Sequence, residues 1–446
     1  MSITQPRGFS ASATTAGLKP SGKPDLALIT RSDAADNRPH ATGCAMVFTQ
    51  NRLVGAPITI GRRIRNALLS SSPQSPAPIP RALLINAGNS NSATGQQGID
   101  DANTCCTALA AHLGLAPAQV IPSSTGIIGR LLPTNKIVSA LPTLVASLST
   151  GEAADTAAMG AIMTTDLVPK HARAEAVIEG HRVKVGAIAK GAGMIAPRLD
   201  SASRSVTPSA TMLVFITTDA AIDSPTLQLA LDSAADASFN RISVDNHASC
   251  SDTAICLSSG LAQPVDPAAP VLPAGSMPPI RPGTRQFDQF IDLLRTVCAD
   301  LANQIVSDGE GATRIFTVHV AGARSDLDAR QIAREVVNSP LVKCAVHGRD
   351  PNWGRIVTAA GNAGVDFDPN HCSLTLADAG NPDAAVHVFT DGRPNPEALK
   401  NPGLKSAMSA KHIAMHLRVG TGPGAWHFTG CDLSAEYVRV NADYTT

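Results

Sequence analysis

Short apolar runs separated by turn residues fill the first 60 residues, which is the pattern of strands joined by tight connections. Three such runs, DLALIT at 25–30, CAMVFTQN at 44–51 and APITIG at 56–61, predict three strands. The Ser/Pro-rich stretch SSPQSPAPIP at 71–80 predicts a surface loop. The next segment, ALLINAGNSNSATGQQGIDDA, predicts a buried strand, an Asn/Gly-rich turn and a helix that ends near His112.

The middle of the chain alternates between helical and strand patterns. Residues 134–163 are Ala-rich and predict helices, and MTTDLVPKHA at 163–172 predicts the end of a strand. The alternation of EAVIEGHRVKVGAIAK around a central Gly180 predicts a hairpin. The apolar run at 212–216 predicts a further strand, and the helical pattern after it leads into a short strand and a turn.

The second half opens with a Pro-rich stretch at 260–285, which predicts an extended surface connection. Apolar residues at helical spacing predict a helix from Phe287 to Ile305, and RIFTVHV after it predicts a strand. Residues 325–364 predict a helix, a strand, a turn and a second helix that starts near Asn352. Helices and strands are therefore expected to alternate along the whole chain.

Composition and charge exclude some classes of partner. The 446-residue chain has 36 Lys and Arg residues against 36 Asp and Glu residues, so it lacks the basic excess that nucleic acids and acidic membrane surfaces select. Its apolar runs are shorter than the roughly 18 residues that a membrane helix requires. With aromatic residues at only 3%, the core must be built from Ala, Val, Leu and Ile. A small-molecule substrate is expected.

The nine cysteines form an odd set without a CxxC pair or zinc-type spacing. They predict reduced thiols in a cytosol-like compartment. The opening residues, MSITQPRGF, are too few for a transit peptide before the fold begins, so a cytoplasmic protein is expected. His412 and His416 are four residues apart and could form half of a metal site, but no third-ligand pattern accompanies them, which favours an ordinary surface.

Thr211 stands between a Gly-rich approach and an apolar run, and the small residue Ala210 precedes it. A hydroxyl in this position can attack the carbonyl of the preceding residue, and water can cleave the ester that this N-to-O acyl shift produces. The α-amine released in this way titrates at roughly pH 7.7 to 8.0. It can take the proton of its own hydroxyl, as N-terminal nucleophiles do. The alternative is an ordinary β-branched residue at the start of a strand.

Other polar loops could supply further groups to a site. Thr125 and Gly126 follow a strand pattern and could offer a hydroxyl and a main-chain N–H to an oxyanion, with an ordinary strand-end turn as the alternative. Lys190 could hold a carboxylate or be a solvated loop lysine. Glu310 lies between two glycines and could reach a ligand amine; the alternating carboxylates of a calcium loop are missing. The asparagines at 86–91 are better explained as partners of loop backbone groups.

The motifs KGAGMIAP, ATML and HGRDPNWGRI and the closing NADY resemble those of the glutamate N-acetyltransferase family, also called ornithine acetyltransferases. The resemblance runs from Gly8 to Thr446 and is interrupted by three inserts. It implies an α/β fold of the N-terminal-nucleophile-like type, with stacked sheets and outer helices. One insert, residues 198–209, lies directly upstream of Ala210, where the family runs straight into its nucleophile. The insert therefore bears on self-cleavage more than on the fold.

The resemblance also implies roles for individual residues. It implies cleavage between Ala210 and Thr211 into an α chain, 1–210, and a β chain, 211–446, with Thr211 as nucleophile. It assigns the oxyanion hole to Thr125 and Gly126. The residues that it assigns to substrate binding are Thr164 (with Thr165 as the alternative), Lys190, Thr211, Glu310, Asn441 and Thr446.

The implied reaction is ping-pong acetyl transfer from N-acetylornithine to glutamate through an acetyl-Thr211 enzyme. It needs no metal or organic cofactor, although acetyl-coenzyme A is a possible second donor. The family expectation is an assembly of two α and two β chains or larger. Two alternatives stay open: a self-cleaved amidohydrolase or aminopeptidase in which water accepts the acyl group, and an unprocessed, non-catalytic binding protein.

Overall fold

The computed structural model describes residues 2–32, 41–72, 74–200, 212–247, 249–265 and 277–443. The chain divides into two compact units. The first comprises Met1–Asn240 and His247–Ile305, and the second comprises Arg241–Asn246 and Val306–Thr445.

In chain order, the elements up to residue 307 are β1 (Phe9–Thr14), β2 (Leu26–Arg31), β3 (Gly43–Phe48), α1 (Ala56–Leu69), β4 (Ala82–Asn89), α2 (Gly95–Leu113), β5 (Val120–Ile127), α3 (Thr134–Ala146), α4 (Glu152–Ile162), β6 (Lys170–Ile178), β7 (His181–Lys190), β8 (Leu213–Thr218), α5 (Ser224–Ala237), β9 (Ile242–Ser243), β10 (Thr253–Ser258), β11 (Gln263–Pro264) and α6 (Arg285–Ser307). The remaining elements are β12 (Ile315–Ala323), α7 (Asp326–Asn338), α8 (Pro340–Gly348), α9 (Trp353–Gly361), β13 (Ser373–Asp378), β14 (Asn381–Thr390), β15 (Arg393–Pro394), α10 (Pro402–Ser409), β16 (His412–Arg418), β17 (Gly424–Cys431) and α11 (Ala435–Asp443). Short 3-10 helices occupy Pro117–Gln119, Phe239–Arg241, Pro369–His371 and Pro396–Lys400.

The first unit contains two sheets. Sheet one has the strand order β1-β2-β4-β5, and sheet two has the order β11-β7-β8-β10-β3, with β6 paired to β7. The pairs β4–β5 and β8–β10 are parallel, while β7 runs antiparallel to β8. A hairpin turn at Glu179 and Gly180 joins β6 to β7, and both turn residues have positive φ, as a two-residue connection of this kind requires.

The two sheets of the first unit share one apolar core. Ile29 and Ile85 from sheet one lie in the same buried cluster as Met46 and Phe215 from sheet two. On the outer side of sheet one, α2 and α3 cover Leu28 and other strand residues. Helix α5 lies against β3, where its Gln228 side chain binds both the N–H and the carbonyl of Met46 at 3.0 Å. The layers of sheets and helices are those expected for the α/β class, and that prediction is confirmed.

The second unit is built on a seven-stranded sheet with the order β15-β14-β13-β16-β12-β17-β9. Helices α7 to α10 contribute to the cluster that covers one face, in which Val318, Leu376 and Met415 from the strands meet Ile332 and Val336 from α7. Within the described ranges of both units, every helix is too short or too polar to span a lipid bilayer.

Three predicted elements are wrong. Residues 56–61 begin helix α1: Pro57 occupies its first turn and the buried positions recur at helical spacing, so this short apolar run does not form a strand. Residues 163–169 form bends after α4, and β6 begins only at Lys170. The strand expected between the two helices of 325–364 is instead helix α8 at 340–348, because the Ser339 hydroxyl caps it and Pro340 starts it.

Several other segments agree with the pattern of the sequence. Loop 71–80 is without regular secondary structure in its described part, and helix α9 begins at Trp353, one residue from the expected start. All nine cysteines are free thiols, and every one except Cys344 is buried. The segment 260–285, predicted as a surface connection, differs at its described ends, because Leu261 and Ile280 are buried; its middle lies outside the described residues.

Candidate active site

One edge of sheet two brings together the residues around the predicted nucleophile. Lys190 is the last residue of β7 and pairs with Leu213, the first residue of β8. On the other side of β8, Thr253 pairs with the same Leu213, and its N–H donates to the Met212 carbonyl at 2.9 Å. Thr211 and Ala210 lie outside the described residues. Met212, buried at this edge, is the point from which the chain leads back to Thr211.

The predicted oxyanion residues lie on sheet one and meet the predicted substrate lysine. Thr125 and Gly126 belong to β5, and the Lys190 Nζ donates to the Thr125 Oγ1 at 3.4 Å. Both side chains are almost fully buried, with exposed fractions of 1% for Thr125 and 3% for Lys190. The structure thus brings Thr125 and Lys190, which are 65 positions apart in the sequence, into contact between the two sheets.

Gly126 is required by the path of the backbone. Its φ of +127° lies in the region that favours glycine, and a Cβ at this position would lie 2.5 Å from the Gly88 carbonyl carbon on β4. Gly88 itself pairs with Gly126 in the parallel β4–β5 register. A side chain here would push the two strands apart, so the local path of β5 depends on this glycine.

Asp166 is a central residue of the site that sequence reasoning missed. Its Oδ1 accepts hydrogen bonds from the Lys170 Nζ and the Gly191 N–H, both at 2.7 Å, and its Oδ2 accepts from the Thr164 N–H at 3.0 Å. The Lys190 Nζ lies 4.0 Å from the same Oδ2. The only signal in the sequence was an Asp that directly follows the candidate threonines and precedes a lysine by four residues.

The charges around Asp166 explain its ionisation. Burial alone would raise the pKa of the Asp166 carboxyl, but the ammonium groups of Lys190 and Lys170 and the hydrogen bonds from Lys170 and Gly191 hold it at about 2. The carboxylate therefore stays charged and holds Lys190, Thr164 and the Gly191 turn in one place. Thr164 and its neighbour Thr165 are both half-buried, and the choice of Thr164 as a substrate contact stays a prediction.

The loop of asparagines serves the backbone, and that interpretation is confirmed. Asn86 donates to the Asn89 carbonyl at 2.7 Å, and Asn89 donates to the carbonyls of Arg130 and Leu131. Asn91 donates to the Gly98 carbonyl at 2.8 Å at the start of α2. Their amides fix the turn between β4 and α2.

The first residues of the insert upstream of the predicted cleavage site are anchored. The Asp200 carboxylate accepts two hydrogen bonds from the Arg65 guanidinium, at 2.8 and 3.0 Å, and the Asp200 N–H donates to the Phe48 carbonyl at 2.9 Å. Leu199 is buried, and its N–H donates to the Asn240 side chain at 2.7 Å. The insert is therefore tied to α1 and β3 at its start, and residues 201–211 lie outside the described part of the chain.

In the second unit, two more predicted site residues are in contact. The Asn441 Nδ2 on α11 donates to the Glu310 Oε2 at 2.8 Å. Glu310 lies in the turn between α6 and β12. These residues are 131 positions apart, and the family resemblance assigns both to substrate binding. Thr446, the third predicted residue of this group, lies outside the described residues.

The candidate histidines of the second unit are on strands. His412 and His416 both belong to β16; His416 stacks on His319 of β12 with ring centroids 4.8 Å apart, and His412 Nε2 lies 2.8 Å from the Thr317 Oγ1. Burial, together with the neighbouring imidazoles, lowers the pKa of His319 to about 4. Across the described ranges, the His, Cys, Asp and Glu side chains form no group of three that could hold a metal ion.

Known proteins resemble this chain over its full length. A family model described as the ArgJ family matches residues 10–446. The arginine biosynthesis bifunctional protein ArgJ of Thermosynechococcus vestitus is 39% identical over 457 residues, which cover 100% of this chain and 98% of that protein. The protein ArgJ 1 of Nostoc is 40% identical over 451 residues with the same coverage.

Among solved structures, the crystal structure of ornithine acetyltransferase complexed with ornithine from Mycobacterium tuberculosis is 31% identical. It covers 45% of this chain and 96% of that chain, with a TM-score of 0.37.

Proposed function

The chain belongs to the ArgJ family, and we propose that it moves the acetyl group of N2-acetyl-L-ornithine to L-glutamate. It is an acetyltransferase of arginine biosynthesis, as the family and its relatives are. The proposed products are L-ornithine and N-acetyl-L-glutamate. The names of the relatives describe bifunctional proteins, which supports acetyl-coenzyme A as a second acetyl donor.

The proposed reaction runs through Thr211. Self-cleavage after Ala210 frees the Thr211 α-amine, which takes the proton of the Thr211 hydroxyl as the oxygen attacks the acetyl carbonyl. The carbon–nitrogen bond to ornithine breaks, and the amine returns the proton to the leaving nitrogen. Glutamate then enters and receives the acetyl group by the reverse steps. Since Thr211 carries the acetyl group, the reaction calls for no metal or organic cofactor.

The contact between Lys190 and Thr125 carries this proposal. It brings a hydroxyl on β5 and an ammonium on β7 to the edge of sheet two from which the chain leads to Thr211. A tetrahedral intermediate bears an oxyanion, and a hydroxyl and a main-chain N–H in a dry pocket stabilise such a charge. Thr125 and Gly126 offer these two groups, and Lys190 supplies a positive charge for a substrate carboxylate.

The remaining predicted residues fit the charges of the substrates. Glu310 carries a negative charge suited to the side-chain amine of ornithine, and Asn441 holds its carboxylate by the 2.8 Å hydrogen bond. Thr164, held by Asp166, and Thr446 complete the proposed set of contacts. A cytoplasmic location and an assembly of two α and two β chains belong to the same proposal.

The intact mass of the denatured wild-type protein tests the first step. We expect two chains whose masses sum to that of the precursor plus one water, with the second chain starting at Thr211. The cleaved protein should form N-acetylglutamate from N-acetylornithine and glutamate. A single uncleaved chain would contradict the proposal, and cleaved protein that releases mostly acetate in the presence of glutamate would favour a hydrolase.

A Thr125→Val variant is expected to lower kcat about 100-fold or more with little change in KM, because the lost hydroxyl acts on the oxyanion of the transition state. Steady-state acetyl transfer by the mature protein measures this. The matched control is Ser123→Ala on the same strand, because the buried Ser123 Oγ has no hydrogen-bond partner among the described residues. An unchanged kcat in Thr125→Val would remove Thr125 from the oxyanion hole.

A further inference from the structure

The Asp252 carboxyl lies beside the start of β8. It directly precedes β10, whose first residue pairs with Leu213, and its Oδ1 accepts a hydrogen bond from the Met212 N–H. Asp252 is completely buried, with an exposed fraction of 0%. The Asp252 side chain thus binds the backbone at Met212, one residue after Thr211, at the edge of sheet two where Lys190 lies.

The second oxygen of the Asp252 carboxyl makes no hydrogen bond to the described residues. The Asp252 Oδ2 is buried and finds no hydrogen-bond partner in the part of the chain that the structure describes. A buried carboxyl oxygen without a donor destabilises the fold and is uncommon in native proteins. Such an oxygen calls for a donor that the described residues do not supply.

The electrostatic surroundings of Asp252 agree with a missing cationic partner. Burial raises the pKa of the Asp252 carboxyl well above the usual range, and the Cys250 thiol raises it further. The Met212 N–H, the Lys190 ammonium and the Ser249 N–H act in the opposite direction and lower this pKa. The groups that face Asp252 are therefore Lys190 from β7, Cys250 and Ser249 from its own segment, and Met212 from the approach to β8. A further positive charge at Oδ2 would stabilise the carboxylate.

Covalent geometry limits what can supply that charge. The nitrogen of residue 211 is separated from the Met212 nitrogen by two carbon atoms, so the two nitrogens lie within about 4 Å of each other. Before self-cleavage this nitrogen is an amide, which does not accept a proton. After cleavage it is an amine that becomes an ammonium whenever it takes the proton of the Thr211 hydroxyl.

We propose that Asp252 is the positioning residue of the Thr211 α-amine: its Oδ1 holds the Met212 N–H, and its Oδ2 accepts an N–H from the amine. This inference rests on the proposed function. The carboxylate turns the amine so that its lone pair faces the Thr211 hydroxyl, and it stabilises the ammonium formed during attack. A third group plays this part toward the base of other nucleophile–base pairs.

The protonation state of Asp252 stays the same through the proposed catalytic cycle. The Thr211 Oγ1 loses its proton to the amine as the bond from oxygen to the acetyl carbon forms. The ammonium then gives that proton to the nitrogen of ornithine as the carbon–nitrogen bond breaks. Asp252 neither gains nor loses a proton and only favours the charged form of the base.

Asp252→Asn tests this assignment. The Asn Oδ1 can still accept the Met212 N–H, but the carboxylate charge beside the amine is lost. We expect self-cleavage to proceed and kcat to fall about 100-fold or more. Since a nearby carboxylate raises the pKa of an amine, its removal should shift the acid limb of the kcat/KM profile toward lower pH by about one unit or more.

Asp219→Asn is the matched control. Asp219 is also buried and follows the opposite end of β8, and it too accepts backbone hydrogen bonds, from the Lys184 N–H at 2.8 Å and the Arg7 N–H at 3.3 Å. Burial raises the pKa of the Asp219 carboxyl to about 6, which makes it comparable in chemistry. This variant should lose thermal stability without moving the acid limb of the pH profile.

Two results would overturn the inference. In one, Asp252→Asn cleaves normally and shows the wild-type acid limb, so that any fall in rate is only a loss of stability. In the other, Asp252→Asn stays uncleaved, which assigns the carboxylate to a step that precedes the amine. A wild-type protein that is uncleaved or inactive would instead contradict the proposed function, so the two failures are distinguishable.

Discussion

A Thr211→Ala variant should remain one chain of 446 residues and transfer no measurable acetyl group. Alanine lacks the oxygen that attacks the Ala210 carbonyl, so the N-to-O shift cannot start and no α-amine forms. The same oxygen is the acetyl carrier, and removing a nucleophile of this kind costs about 10⁶-fold in rate. Intact mass and the formation of N-acetylglutamate measure the two effects separately.

Two variants control for changes near the cleavage site. Thr207→Ala removes a hydroxyl four residues upstream, within the insert, and should leave cleavage and transfer unchanged. Thr211→Ser keeps a hydroxyl and should cleave and retain measurable transfer. Cleavage of Thr211→Ala at the wild-type position would show that another group breaks this bond, and Thr211 would lose its role as nucleophile.

An Asp166→Asn variant should lose about 3 to 5 kcal/mol of the free energy of unfolding near pH 7. The Lys170 and Asp166 side chains are both fully buried and 2.7 Å apart, so the amide would leave an ammonium in the core without its counter-charge. Lys190, at 4.0 Å, would lose the same partner. Because Lys190 and Thr164 are both held by this carboxylate, acetyl transfer should fall as well.

The stability that the Asp166 carboxylate contributes depends on pH. The pKa of Asp166 is lowered from 3.8 to about 2 in the fold, so the carboxylate contributes stability that is present above about pH 4. That contribution is lost as the pH falls through about 2. Urea unfolding should therefore show a large difference between Asp166→Asn and the wild type at pH 7, and a smaller one toward pH 2.

Asp155→Asn is the control for this experiment. Asp155 is also buried, but it accepts its hydrogen bonds from the N–H groups of Ser2 and Thr4 and from the Thr4 hydroxyl, which are neutral donors. An amide oxygen can replace some of these bonds, so the loss should be smaller. Equal losses for the two variants would mean that the charge of Asp166 adds nothing to its hydrogen bonds.

Motifs and local patterns in the sequence predict much of the fold and part of the candidate site. The strand before Thr125 and the hairpin that ends at Lys190 follow from alternation and turn chemistry. Their meeting at 3.4 Å does not follow from these patterns, because it depends on how the two sheets stack. Local patterns set the elements, while the partners of each polar side chain are set by packing.

The missed carboxylates illustrate the same limit. The Asp166 carboxylate accepts a hydrogen bond from the Thr164 N–H, and the Asp252 carboxylate accepts one from the Met212 N–H. The residues around each Asp in the sequence do not indicate these contacts. The wrong strands at 56–61 and 340–348 have a different cause. Both are short apolar segments whose prolines start a helix, and periodicity over six to nine residues separates a helix from a buried strand poorly.

The strand order of sheet two bears on how the proposed halves of the protein would stay together. Strands β7 and β3 precede the proposed cut, whereas β11, β8 and β10 follow it, so strands of the two chains interdigitate across one sheet. Separating the chains would break the β7–β8 and β10–β3 ladders and expose the core beneath them. A cleaved protein with this strand order should keep its activity on extreme dilution, because its two polypeptides can dissociate only by unfolding.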